Sequence, residues 1–455
     1  MIPAARLQAV IEILDGIATR PGNGPAELAV NDYLRQRRYI GSKDRKAVTA
    51  LTYDVLRHRA RLAWWLERGQ GSAASPRQQL LAYLELCDRE TPESLARLFD
   101  GSRYAPAPLS AEETALVARL DDPALRQAAP PAWVAHEVPE WIMPRLEEAF
   151  GPAAGAEAEA LLQEAPIDLR VNSLQGTRAE AHGALAEEGI ETTPTPLSPL
   201  GLRVAGRRAL RASQAFNAGL VELQDEGSQL AALLCDARPG MAVADVCAGA
   251  GGKTLALAAA MQGQGRLLAM DVDQSRLDRS ALRLRRAGVS DAAAGFFERR
   301  PVRPAGKDLT KDLAADESLH GSFDRVLVDA PCSGTGAWRR HPDARWRLTP
   351  ADLDSYKTAQ RDVLRRAALL VKPGGRLIYV TCSLLPEENQ TQADAFLAEA
   401  ADFAALPVAT VWQAALAAPY PAGQSADAPT LTLTPARHGT DGFFIAIFER
   451  RGEAA

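Results

Sequence analysis

From about Ala237 onward the chain alternates short apolar runs with helical segments, and this alternation restricts the fold more than any other feature. Met241–Cys247, Arg266–Val272, Phe323–Asp329 and Arg376–Cys382 each read as a strand. Between the last two lies a helix with marked ends: Thr349 can cap it, Pro350 suits its first turn, and Asp352 occupies the capping-box position. Pro373-Gly374-Gly375 supplies the turn into the following strand, and Gly442–Arg450 gives a final strand after a long Ala/Pro-rich stretch. Strands separated by helices pack as a sheet covered on both faces. The expected class is α/β, with a doubly wound, Rossmann-like sheet.

At 455 residues the chain is too long for one ordinary core. Its first stretch is helical: Leu7, Val10, Ile11 and Leu14 recur at helical spacing, as do Val48, Leu51, Thr52, Val55 and Leu56. Breakers at Pro21-Gly22-Asn23-Gly24, Gly69–Gly71 and Pro92 divide it. A proline-rich stretch, Pro123–Pro144, marks a junction. Beyond it Ile167–Asn172 reads as a strand, Arg178–Glu188 as a helix ending at Gly189, and Ile190–Pro199 as a strand running into a loop. Three domains are expected: all-helical over 1–130, small α/β connecting over 131–230, and the large sheet over 231–455.

With 47% hydrophobic and 24% charged residues the composition is that of a globular protein. No stretch approaches the roughly 18 apolar residues of a spanning helix, and the start has no signal-peptide layout, so a cytoplasmic protein without membrane contact is expected. Five cysteines, Cys87, Cys235, Cys247, Cys332 and Cys382, are scattered and never form a C-x-x-C pair. Neither a disulfide framework nor a metal site is expected, and any cysteine that matters should act as a thiol. The net charge of −5 argues against indiscriminate nucleic-acid binding. Local basic clusters exist nonetheless. Arg35, Arg37, Arg38, Lys43, Arg45 and Lys46 form one, Arg57, His58, Arg59 and Arg61 another, and Arg299, Arg300 and Arg303 a third. Arg339, Arg340, His341, Arg345 and Arg347 interleave with Trp338 and Trp346, a mixture suited to phosphate contact and base stacking, though also to ordinary surface.

Strand Met241–Cys247 runs into Asp245-Val246-Cys247-Ala248-Gly249-Ala250-Gly251-Gly252-Lys253. Glycines there let a backbone approach a nucleotide-like ligand at the carboxyl edge of the sheet. Asp271, nineteen residues after Gly252, closes the next strand where a carboxylate can accept from ribose hydroxyls. These features alone fit a dinucleotide as well as S-adenosylmethionine; the Walker A spacing is not met. Two further motifs discriminate. Asp329-Ala-Pro-Cys332-Ser-Gly-Thr-Gly ends one strand, and Thr381-Cys382-Ser383 ends another. Two thiols on the sheet edge that also holds the glycine loop point to covalent chemistry, whereas Cys87 and Cys235 read as small hydrophobes.

The chain resembles the RsmB and NOP/NSUN RNA cytosine-5 methyltransferases, whose glycine loop, Asp-Ala-Pro-Cys-Ser-Gly, Thr-Cys-Ser and Asp-Gly-Phe-Phe motifs recur in order at Asp245–Lys253, Asp329–Gly334, Thr381–Ser383 and Asp441–Phe444. The likeness is strong over Val221–Arg450 and continues upstream, where Arg37–Leu62 resembles the NusB-like, RNA-binding helical domain of the RsmB branch. It implies a class I methyltransferase fold, S-adenosylmethionine as cofactor and RNA, most of all 16S rRNA, as partner of a monomeric enzyme. It implies that Cys247, Ala248, Gly249, Ala250, Gly251, Gly252 and Lys253, with Asp271 and Asp329, line the cofactor. It assigns Cys382 as nucleophile and Cys332 to product release, while residue chemistry alone leaves the two thiols equivalent; Asp329 is placed at the cytosine edge, and Lys253 either assists there or anchors the loop. Two departures stand out. Ala250 replaces the family's proline, and the only acid in the adenine-contact region is Glu298.

Carbon 5 of cytosine becomes nucleophilic only after a thiolate adds to carbon 6, which is why the chemistry needs cysteine. Arg339, Arg340, Arg345 and Trp346 are the candidates to hold flanking RNA, with packing of the loop as the equal alternative for Trp346, while Asp273 is read as a helix cap and Glu387 and Glu388 as the start of a helix. Asp441 is read as shaping a turn, with Phe443 and Phe444 packing around the site. The rivals are methylation of an exocyclic amine, which would favour an Asp/Asn-Pro-Pro-aromatic motif, an RNA-binding factor with a vestigial catalytic domain, and a tRNA rather than rRNA substrate.

Overall fold

A computed structural model describes residues 1–20, 24–206, 210–289, 297–301 and 316–452. The breaker Pro21-Gly22-Asn23 and the basic Arg303 lie outside the described residues. The chain forms two compact units, Met1–Gln163 with Arg340–Leu348, and Glu164–Arg339 with Thr349–Ala455.

The first unit is helical. Pro3–Ala18, Ser42–Arg57, Arg59–Arg68, Pro76–Leu86 and Ala111–Leu120 are its main helices. Its core includes Leu7, Val10, Ile11, Leu14, Val48, Val55 and Leu56, the residues whose spacing predicts the first two helices. Burying such a stripe contributes about 25 cal/mol per Å² of apolar surface. Glu137, buried and drawn from the proline-rich junction, accepts hydrogen bonds from the N–H groups of Ala60 and Arg61 and so caps Arg59–Arg68.

The second unit contains two sheets. Strands β1 (Ile167–Val171), β2 (Thr192–Pro194), β3 (Gly201–Val204) and β4 (Val221–Leu223) form an antiparallel sheet in the order β2-β3-β1-β4. The large sheet comprises β5 (Ala242–Val246), β6 (Arg266–Asp271), β7 (Phe297–Pro301), β8 (Phe323–Asp329), β9 (Val371–Thr381), β10 (Phe403–Ala405), β11 (Thr430–Leu433) and β12 (Phe443–Arg450). Its order is β10-β12-β9-β8-β5-β6-β7, with β11 also on β12. Strands β5 to β9 run parallel, while β12 pairs antiparallel to β9. This is the doubly wound α/β sheet expected from the alternation, with the antiparallel strand of a class I methyltransferase. The strand order reverses between β5 and β8, and the crevice beyond their carboxyl ends is where such sheets bind ligands.

Alternate residues along each strand face opposite layers. Val243, Leu267, Leu327, Ile378 and Ile445 pack with helices Glu226–Leu233 and Gly252–Ala260. Ala244, Leu268, Val326, Leu377 and Phe444 pack with Pro350–Leu370 and Gln390–Glu399. The Thr349–Asp352 capping box is formed as expected. The turn expected at Pro373–Gly375 is instead an outward excursion within β9. Phe323 pairs with Val371 and Arg325 with Arg376, so Lys372–Gly375 loops out and the strand continues.

Candidate active site

Strand β5 ends at Val246, and Cys247 then turns with φ of 102°, a conformation that non-glycine residues rarely adopt. The N–H groups of Cys247 and Ala248 converge on the Met270 carbonyl at 3.0 and 2.8 Å. The Gly249 N–H donates to Asp271 Oδ2 at 2.7 Å, and the Asp273 N–H donates to Asp271 Oδ1 at 2.8 Å. The carboxylate that sequence reasoning reserves for a ribose therefore also shapes the loop. Gly251 has φ of 80°, and a Cβ there would lie 2.8 Å from Ser280 Cβ, so glycine alone fits before helix Gly252–Ala260. Arg283, which the sequence did not single out, donates to the Ala250 carbonyl at 2.8 Å. Asp273 caps the helix Gln274–Arg286 through the N–H groups of Ser275 and Arg276, as expected.

Beneath the loop, burial raises the carboxyl of Asp245 to about 7, despite its hydrogen bond from Thr254 Oγ1 at 2.6 Å. Burial also pushes the Cys247 thiol well above its ordinary value. Lys253 reaches across to β8, its Nζ 2.6 Å from Asp329 Oδ2. Burial works against its charge, but the Asp329 carboxylate outweighs this and holds the ammonium above its ordinary value. The Phe443 ring lies 5.3 Å from the same Nζ.

The two motif cysteines meet. Cys332 Sγ and Cys382 Sγ are 3.4 Å apart, at the carboxyl ends of the adjacent strands β8 and β9. The Cys332 thiol is pushed well above its ordinary value, first by its hydrogen bond with Cys382, then by burial. The Gly336 N–H donates to the Cys382 carbonyl at 2.9 Å, and a Cβ on Gly336 would lie 2.4 Å from the Gly442 carbonyl oxygen. The Asp-Gly-Phe-Phe turn thus closes against the loop that carries Cys332.

Other expected residues lie elsewhere. Arg339 is buried, paired with Asp441 at 2.5 Å and Asp225 at 3.4 Å, so it locks the Asp-Gly-Phe-Phe turn rather than reaching RNA. Arg345 is also buried. It belongs to the helical unit and donates to the Glu137 and Leu161 carbonyls at 2.8 and 3.0 Å. Trp346 faces Arg59 at 5.9 Å in that unit, and Arg340 is half-buried. The RNA role expected of Arg339 and Arg345 does not survive, because internal partners consume their donors. Glu298 pairs with Arg266 at 3.8 Å and Arg300 at 3.3 Å, and Arg266 begins β6, at the end of the sheet opposite the glycine loop. Glu387 and Glu388 lie in a 3-10 turn, Pro386–Glu388, that leads into the helix Gln390–Glu399, as expected of a helix start, and Glu388 is in addition buried between the two cysteine loops. Of the first basic cluster, Arg35, Arg38, Lys43 and Lys46 remain exposed.

A family model described as 16S rRNA methyltransferase RsmB/F matches residues 232–449, and a model of the ferredoxin-like domain of these proteins matches 138–211. A ribosomal RNA small subunit methyltransferase B from Salmonella typhi is 30% identical over 420 residues, 90% of this chain and 91% of its own. A probable ribosomal RNA small subunit methyltransferase B from Synechocystis is 35% identical over 319 residues, 69% of this chain and 67% of its own. The chain belongs to the RsmB family. The solved structure of a methyltransferase homologue from Pyrococcus horikoshii, 27% identical, superimposes with a TM-score of 0.58 over 70% of this chain and 97% of that one.

As an RsmB-family protein the chain is an RNA methyltransferase, and its cofactor is S-adenosylmethionine. The match to the family model begins before β5 and ends within β12, so it spans the large sheet and both cysteines. The residues that sequence reasoning missed are Glu388, Gln360 and Arg283, all polar groups partnered by residues distant in sequence. One signal was present: a serine follows each of the two cysteines. Among the described residues no group of His, Cys, Asp or Glu could hold a metal ion, and no helix is long and apolar enough to cross a membrane.

Proposed function

We propose that this RsmB-family enzyme methylates carbon 5 of a cytosine in 16S rRNA, with Cys382 adding to carbon 6. The observation that carries the reading is the pair of sulfurs 3.4 Å apart beside the Lys253–Asp329 ion pair. An enzyme acting on an exocyclic amine needs no thiol, and a vestigial domain has no reason to keep two in register.

The residues after β5 fit S-adenosylmethionine. Cys247, Ala248, Gly249, Ala250, Gly251 and Gly252 form a backbone cradle, and Asp271 is buried beneath it. A Cβ at Gly249 would lie 3.1 Å from Arg276, so side chains there would crowd the cradle. The buried Asp245 Oδ1 has no hydrogen-bond partner among the described residues and is open to a donor arriving with the ligand. When bound, the cofactor supplies an electrophilic methyl group on sulfonium sulfur.

The protein's own groups then divide the work. The Cys382 thiolate forms a bond to carbon 6, and the carbon 5–carbon 6 π pair moves to carbon 5, which takes the methyl group. Asp329, partly open to the crevice, faces the polar edge of the base and supports the proton at ring nitrogen 3. Lys253 interacts electrostatically with Cys382 and provides the positive charge beside the attacking sulfur. Water entering the crevice takes the proton on carbon 5, the freed electron pair re-forms the carbon 5–carbon 6 double bond, and the carbon 6–sulfur pair leaves with Cys382 as the thiolate. Cys332, its sulfur 3.4 Å from that of Cys382, is the side chain placed to serve this release. A target base within a helix would have to be flipped out, at a cost of about a few kcal/mol.

The test is incubation with methyl-labelled S-adenosylmethionine and 16S rRNA, followed by nucleoside analysis. Label is expected in 5-methylcytidine, and Cys332→Ala should accumulate a denaturation-resistant protein–RNA adduct that Cys382→Ala does not form. The reverse pattern would exchange the roles of the two thiols. Label in tRNA alone would change the substrate, and no transfer to any RNA would favour a binding protein.

A further inference from the structure

Glu388 is fully buried, and the chemistry above gives it no part. A carboxylate taken out of water is tolerated only with donors on its oxygens, and this one has four. Ser333 N–H and Gln360 Nε2 donate to Oε1 at 2.8 and 3.0 Å. The hydroxyls of Ser333 and Ser383 both donate to Oε2, the latter at 2.5 Å. Ser333 follows Cys332, and Ser383 follows Cys382. Gln360 extends the clamp to the other side of Cys332, since its Nε2 also donates to the Pro331 carbonyl at 2.9 Å.

The carboxylate is itself anchored. Tyr379 Oη, from within β9, donates to the Glu388 carbonyl at 2.6 Å. The neighbouring Asn389 accepts from Thr381 Oγ1 at 2.6 Å and donates to the Ser383 carbonyl at 2.9 Å. Both cysteine loops therefore hang from one buried group fixed to the end of β9.

We propose that Glu388 is a positioning residue that fixes Cys332 and Cys382 against each other, so that both sulfurs address one target base without rearrangement of their loops. The target-base half of this statement rests on the cytosine reading above; the spacing half does not. Its charge adds a second effect. After the Cys382 hydrogen bond, burial and the Cys382 charge, Glu388 is the next group that raises the Cys332 thiol, and so helps to keep that sulfur protonated.

The experiment reads sulfur spacing and turnover separately. Diamide takes one hydrogen from each of two thiols, becoming the hydrazine and leaving a disulfide, and the Cys332–Cys382 bridge is followed by peptide mass spectrometry. In Glu388→Ala the bridging rate is expected to fall about tenfold, and kcat by at least as much, with the KM for S-adenosylmethionine nearly unchanged. Glu388→Gln, which keeps one acceptor oxygen, should recover part of both. Should Glu388→Ala fail to fold, the double variant Ser333→Ala/Ser383→Ala, which removes only two hydroxyl donors, decides with the same readouts. Bridging at the wild-type rate in a folded Glu388→Ala or in the double variant overturns the proposal. Slowed bridging with no Cys332→Ala adduct on RNA would uphold the clamp and sink the cytosine chemistry instead.

Discussion

Two neighbouring stretches, Asp329–Gly336 and Arg339–Arg347, both carry residues suited to chemistry or to binding, yet the protein uses them differently. The first presents Asp329 and Cys332 to the crevice, where they meet Lys253 and Cys382. The second turns inward: Arg339 is held by Asp441 and Asp225, and Arg345 by two carbonyls of the helical unit. Residue type says what a side chain can do, and the partners left over after folding decide what it does. A guanidinium whose donors are spent on buried acceptors cannot hold a phosphate.

The sharpest way to test this contrast is to remove one charge from each stretch's surroundings. Lys253→Met is expected to lower kcat by about 10²–10³, the scale of losing one preorganised charge in a reacting site. Its melting temperature should hardly move, because Asp329 is one-third exposed and can be rehydrated. Steady-state kinetics beside a melting curve check this. Wild-type kcat in the variant would show that the ion pair merely braces the loop.

Arg345→Ala should do the opposite. It strands the Glu137 and Leu161 carbonyls and opens a cavity in the helical unit, at a cost of about 3 kcal/mol. Urea unfolding followed by the helical signal should show the loss. Adduct formation by the Cys332→Ala variant, with Arg345→Ala added, should persist at low temperature. A stable Arg345→Ala protein with weakened RNA binding would restore the reading of that stretch as an RNA contact.

Much of the sheet was legible because its determinants are local. Apolar runs ending in Asp245, Asp271, Asp329 and Cys382 mark the strands, and Thr349 with Asp352 marks a helix start without any tertiary knowledge. The short strands Gly201–Val204 and Val221–Leu223 were not legible, since three or four residues carry no period of their own and are fixed by pairing with β1. The glycine loop and both thiols were readable as motifs. Their 3.4 Å meeting was not, because it depends on the adjacency of β8 and β9, which the order of motifs does not encode. Glu388 was legible only as a helix-start acid because its donors come from the loop after β8, the helix Pro350–Leu370 and the loop after β9, up to 55 residues away.

A buried charge without full partnership is the remaining case, and it differs from Arg345 in a way that pH exposes. Arg345 keeps two acceptors, and although burial lowers it to about 10 it stays charged at neutral pH. Asp245 has Thr254 on one oxygen and no partner for the other among the described residues, and burial raises it to about 7 from an ordinary 3.8. Between those two values the folded chain holds a proton that the unfolded chain has released. Stability contributed by the neutral form therefore falls as pH rises through this window, and is fully lost above the folded value. Asp245→Asn, which cannot ionise, removes that dependence. Its unfolding free energy, measured without cofactor, should exceed wild type by about 4 kcal/mol at pH 8 and match it near pH 4. An equal difference at both pH values would assign the effect to packing, and a less stable Asp245→Asn at pH 8 would mean that the carboxylate has a partner the fold alone does not reveal.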